Sequence, residues 1–241
     1  MDTALKVAEL RAGRGVAWLT GAFTLFRGAP LQWVGLCVGW LSITILLLAI
    51  RMPFNVGLVI ASVLQPVFFA GFAITAFRQM AGERVVMGDL FRGFRRNLRA
   101  LVNLGAVLFT AEILVVLLMH SLGLPSWPED RPFNMQEYAE LLRGREWVIA
   151  TGFLLSVLVK GALWFAPPLI AFHEMPTTHA MRWSLYAALT NIGAMIVYGV
   201  ALAALFLAGW LTFGIGFIVV LPMMAISTYA GYREVFEAKP G

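Results

Sequence analysis

Charge is scarce in this sequence. Charged residues make up 13% of its 241 positions and hydrophobic residues 60%, against about 25% and 45–50% in a soluble domain. With a mean hydropathy of +0.82, that deficit excludes an ordinary soluble domain and reads as a polytopic membrane protein. Cysteine is nearly absent. Cys37 stands alone inside an apolar run, which excludes an intrachain disulfide and reads as a small buried hydrophobe. Catalytic signatures are missing as well: there is no GxSxG, no P-loop, no dinucleotide-type glycine pattern, and no aspartate inside an apolar run to form an intramembrane aspartyl pair. His173-Glu174 and His179 have the wrong spacing for HExxH, and His120 lies far from both. No enzyme activity, cofactor or metal is expected. The net charge of +5 would suggest nucleic acid in a soluble protein. Here the arginines flank apolar runs, so positive-inside topology and anionic lipid explain them, and no nucleic-acid partner is expected. The N-terminal stretch carries Lys6, Glu9, Arg11 and Arg14 without an apolar core, so no cleavable signal is expected.

What the sequence does contain is apolar helix. Six spans are expected, at 31–50, 54–77, 100–120, 147–172, 191–210 and 217–232, all in one membrane domain covering 1–241. The first is twenty residues without formal charge, about 30 Å as a helix, which matches the hydrocarbon core; Arg51 and Pro53 close it. Pro66, Pro167-Pro168 and Pro222 fall inside the second, fourth and sixth, a pattern that membrane helices tolerate when neighbours satisfy the freed backbone groups. Gly214 and Gly216 mark a turn. The long connection 121–146 holds Trp127, Pro128 and Glu129, then Asn134 and Glu137 spaced as an N-cap and an acid at N3, predicting a short helix.

Three amphipathic segments stand before the outgoing spans. In Arg14–Gly28 the apolar face is Trp18, Leu19, Ala22, Phe23 and Phe26. In 86–101, Met87, Leu90, Phe91, Phe94, Leu98 and Leu101 face one way, and Arg92, Arg95, Arg96 and Arg99 the other. In 180–190, Met181, Ser184, Leu185, Ala188 and Leu189 share a face. Each segment is expected to lie along the membrane surface. The chain thus reads as an all-α protein of three units, each an interfacial helix plus a transmembrane hairpin kinked by proline, related by an axis near the membrane normal. Thirteen lysines and arginines, Lys239 among them, then fall on the side of the termini and four on the other. That places both termini in the cytoplasm and Glu129 outside.

Arg14-Gly15, Ala17-Trp18-Leu19, Gly21, Phe23, Leu25-Phe26-Arg27, Pro30 and Trp33 resemble the opening of a family of uncharacterised six-span proteobacterial inner-membrane proteins. Trp164 to Pro167, Ser184, Asn191 and Tyr229 to Arg233 resemble its later blocks. The resemblance covers most of the chain except 121–146. It extends more faintly to the membrane region of some glycerophosphodiester phosphodiesterases. It implies the architecture and brings no activity with it.

Two features carry candidate chemistry. Arg92, Arg95, Arg96 and Arg99 read as a solvated, topology-setting face that also meets anionic lipid headgroups. Glu112 and Lys160 are the formal charges well inside predicted spans, where each is costly. Glu112 lies twelve residues past Ala100 and Lys160 twelve before Phe172, so both sit about 18 Å from the cytoplasmic end and are expected to pair. The composition and these features favour a non-catalytic inner-membrane protein that contacts or moves lipid or another amphiphile. The alternative is an accessory or scaffold subunit with a membrane-protein partner.

Overall fold

A computed structural model describes residues 5–50, 55–127, 131–132 and 134–236. Arg51, Pro53, Pro128, Glu129 and Lys239, on which parts of the expected topology rest, lie outside the described residues. Among the described residues the regular structure is helical throughout: α1 (Arg14–Gly28), α2 (Pro30–Leu48), α3 (Val56–Met80), a 3-10 helix (Met87–Arg95), α4 (Leu98–Ser121), α5 (Met135–Leu141), α6 (Glu146–Ala162), α7 (Ala166–His173), α8 (Thr177–Thr190), α9 (Ile192–Leu211) and α10 (Phe217–Phe236).

Among the described residues, five stretches are long and apolar enough to cross a membrane: α2, α3, α4, the pair α6–α7, and α9. The sixth expected span coincides with α10, whose second half carries Arg233 and Glu234 and which does not reach that hydropathy. Burial separates the helices by position. About 17% of the apolar window is buried in α2, α4, α6–α7 and α9, against 56% in α3. The outer four turn most of their side chains outward, as a lipid-facing helix does. The centre is built from three segments that begin at or beside a proline: Pro66 through Ala76 of α3, Ala166 through Ala171 of α7, and Pro222 through Phe236 of α10, in which only Met224, Ala230, Arg233 and Glu234 escape burial. These three segments touch one another.

The amphipathic segments wrap this centre. α1 packs on α9 and α10, the 3-10 helix on α3 and α2, and α8 on α7, α6 and α4. Two of these contacts need glycine, because a Cβ at Gly15 would stand 2.2 Å from the Ala194 carbonyl oxygen and one at Gly93 1.9 Å from that of Val67. In α1 the expected apolar face is buried except for Phe23, against protein. Trp18 packs edge-on to Phe165 and its Nε1 donates to Glu234 Oε2 at 2.9 Å. The face expected in α8 is rotated: Ala180, Ser184, Ala187 and Ala188 are buried while Leu185 and Leu189 are exposed. Small residues let two helices approach closely, so they, not the leucines, take the protein side.

Two helices differ from expectation for local reasons. The segment 86–101 is not one α-helix. Its first part is 3-10, Arg96 is extended and Asn97 is left-handed at φ 31°, so Arg99 lies in the first turn of a new helix. The fourth span is broken between Ala162 and Ala166. Pro167 and Pro168 have no N–H to give the carbonyls four residues back, and Ser184 of α8 bridges the gap. Its hydroxyl donates to Ala162 O at 2.8 Å and accepts from Phe165 N at 3.0 Å.

Candidate functional site

The 3-10 helix brings charge to one point. At three residues per turn, Asp89, Arg92 and Arg95 stack along one edge. Asp89 is 1% exposed. Its Oδ2 accepts from Val86 N at 3.0 Å, which caps the helix start, and its Oδ1 accepts from Arg78 Nη1 at 2.8 Å and from Arg92 Nε. Arg78, at the end of α3, also pairs with Glu83. A buried carboxylate needs such partners, so Asp89 fixes both guanidiniums.

Around that anchor lies a cavity of about 500 Å³ walled by Ile74, Phe77 and Phe172 on its apolar side and by Arg78, Glu83, Arg92, Arg95 and Arg96 on its polar side. Glu174 reaches Arg96 at 3.8 Å. Arg95 has no ion-pair partner among the described residues, and four guanidiniums outnumber Asp89, Glu83 and Glu174. The structure therefore brings together three of the four arginines singled out in the sequence, and leaves out Arg99, which sits on α4. It adds Arg78, Glu83 and Asp89, which sequence reasoning passed over. The available signal was an acid three residues after Val86 with arginine three residues further on, the spacing of a helix start.

Glu112 and Lys160 meet directly. Lys160 Nζ donates to Glu112 Oε1 at 2.7 Å, and Ser156 Oγ donates to Oε2 at 2.9 Å. Glu112 is 30% and Lys160 57% exposed, so the pair lines an open groove rather than a closed core. The histidines do not converge. His120 contacts Val116 O, His173 contacts the Tyr232 hydroxyl at 2.7 Å, and His179 is exposed. The expected cap of α5 is present, with Asn134 Oδ1 accepting from Gln136 N and Glu137 N.

The chain is similar to a probable inner membrane protein of Burkholderia thailandensis, 28% identical over 269 aligned positions that cover 98% of this chain and 96% of that one. No family model matches the sequence, and no solved structure matches it. Five membrane-length helices and this full-length similarity make the chain a multi-pass inner-membrane protein.

Proposed function

We propose that this chain is a non-catalytic inner-membrane protein that holds the anionic headgroup of a membrane lipid in the arginine cavity, at the cytoplasmic surface. The observation that carries the reading is Arg95, a guanidinium with no ion-pair partner among the described residues, beside three others over a half-apolar cavity. A phosphate oxygen there would complete charge-assisted bonds that the fold leaves open, with Phe77 and Phe172 against the first carbons of the chains. Asp89 preorganises Arg78 and Arg92, so ordering them adds little cost on binding.

The architecture belongs to the same proposal. We read α10 as a sixth, kinked span and the chain as three units, α1–α3, the 3-10 helix through α7, and α8–α10. Two regularities support this. Each amphipathic segment packs on the hairpin of the unit before it, α1 closing the ring on the last. The asparagine before an outgoing helix also repeats its role. Asn97 Nδ2 donates to the carbonyls of Glu174 and Met175, just ahead of α8. Asn191 Nδ2 donates to Ala8 O and its Oδ1 accepts from Leu10 N, just ahead of α1. An even number of spans and the thirteen-to-four charge asymmetry support cytoplasmic termini. The likeness to the membrane region of phosphodiesterases rests on sequence alone and contributes nothing to this reading.

The test is lipid retention by the purified protein in nanodiscs containing phosphatidylglycerol and phosphatidylethanolamine, read by native mass spectrometry. Replacing Arg95 and Arg96 with glutamine removes up to about 2 kcal/mol, about 30-fold in phosphatidylglycerol affinity, and flattens its salt dependence. Glutamine at Arg92, Arg95, Arg96 and Arg99 together gives no greater loss than at the three cavity positions. Unchanged phosphatidylglycerol retention in a correctly inserted variant would leave the arginines a topological role alone. A stoichiometric protein partner without bound lipid would replace this reading with that of an accessory subunit.

A further inference from the structure

A second cavity, of about 450 Å³, lies between α3, α4 and the break that joins α6 to α7. It does not share a face of α3 with the arginines. Phe69 lines it and Ile74 lines the arginine cavity; five residues apart, they point about 140° from one another around an ideal helix. Most of its wall is apolar, from Leu58 and Phe69 on α3 to Leu108 and Leu117 on α4. Both flanking helices are membrane spans, so the groove opens into the bilayer, not into water.

The polar groups in this wall are mismatched. Lys160 has three N–H donors and uses one on Glu112, whose two carboxylate oxygens accept from Lys160 and Ser156. Ser62 and Gln65 line the groove and make no side-chain hydrogen bond among the described residues. Trp164, in the break before Pro167-Pro168, lines it too. Its Nε1 is the buried side-chain nitrogen that lacks any acceptor among the described residues. Trp164 Nε1 is thus a donor left without an acceptor, and in hydrocarbon it has no water to turn to. The ion pair is already neutral, so an incoming anion would lie beside the Glu112 carboxylate in a medium that hardly screens the repulsion.

We propose that this groove binds an uncharged, carbonyl-bearing amphiphile. Its tail lies along α3 and α4, and its carbonyl oxygen accepts from Trp164 Nε1 and Lys160 Nζ. The size fits a head and the first part of a tail. The inference does not rest on the arginine cavity.

The experiment is photo-crosslinking in nanodiscs with two probes of equal length, a monoacylglycerol with a diazirine in its tail and a diazirine alkane without a carbonyl. Digestion and mass spectrometry locate the adducts. The monoacylglycerol labels residues 58–69 and 108–117 at least fivefold above the outer faces of α2 and α9, and the alkane does not. Trp164→Phe and, on an exposed side chain that leaves the core intact, Lys160→Met each lower monoacylglycerol labelling there severalfold. Arg95→Gln with Arg96→Gln leaves it unchanged. Ser62→Trp, which fills the groove, abolishes it. Equal labelling by both probes, or labelling indifferent to Trp164→Phe, Lys160→Met and Ser62→Trp, would show a surface wetted by bulk lipid and overturn the proposal.

Discussion

Asp89 accepts from Val86, Arg78 and Arg92 while almost wholly buried. Removing it strands the Arg92 guanidinium, leaves Arg78 only Glu83, and uncaps the 3-10 helix. Asp89→Ala should cost about 3–5 kcal/mol, the usual effect of breaking a buried pair from one side. Arg95→Gln, with no partner to lose, should stay within about 0.5 kcal/mol. Thermal unfolding in detergent compares the two. Glu112 and Lys160 make a second residue-scale test. Glu112→Gln and Lys160→Met together should destabilise less than the sum of the single variants, with a coupling of about 1–2 kcal/mol in the same assay. Additive effects would mean the pair contributes nothing by pairing. The two sites were unequally visible in the sequence. A charge inside an apolar run stands out because it is costly there, and helical rise then sets its depth. Asp89 lies among arginines in a polar stretch, where a solvated acid and a buried one look alike.

Two elements show how the helices accommodate irregular backbone. Ser184 is wholly buried and splices the α6–α7 break. Ser184→Ala leaves a buried N–H and a carbonyl unsatisfied and should cost about 1–3 kcal/mol; Ser184→Thr keeps the hydroxyl but adds a methyl where no space is left, and should recover only part of it. Gly93→Ala is the more severe change, because its Cβ would collide with the backbone of α3 at Val67 and push the 3-10 helix off its seat, opening the arginine cavity. Chemical unfolding and lipid retention should fall together in that variant. Pro167 and Pro168 mark a kink near the end of the fourth span in the sequence, but nothing in the order of residues says that the helix breaks ahead of them or which hydroxyl mends it. The 3-10 helix was read as α for a related reason. Arginines at 92 and 95 satisfy a period of 3.0 as well as one of 3.6 over so short a stretch, and the left-handed turn at Asn97 that separates Arg99 from them leaves no periodic trace.

On the scale of the whole molecule, three proline-led segments form a shared centre, and α1 packs on α9 and α10, the 3-10 helix on α2 and α3, and α8 on α4, α6 and α7. The succession of amphipathic segment, apolar helix and proline-bearing helix was legible in the sequence. Which helices each amphipathic segment packs on was not, because α1 meets α9 and α10 at the far end of the sequence. The apolar pattern of α10 is likewise diluted by the polar residues of its last turns, which Arg14 and Trp18 engage through Glu234. The account hinges on the arginine cavity meeting the cytoplasmic leaflet. The direct test is cysteine accessibility in a Cys37→Ala background, with Glu83→Cys at the rim of the cavity and Glu140→Cys on α5 at the other end of α4. A membrane-impermeant maleimide added to intact spheroplasts should label position 140 and spare position 83, which reacts only after the membrane is opened. Labelling of position 83 from outside the intact cell would put the arginines on the wrong face and contradict the account.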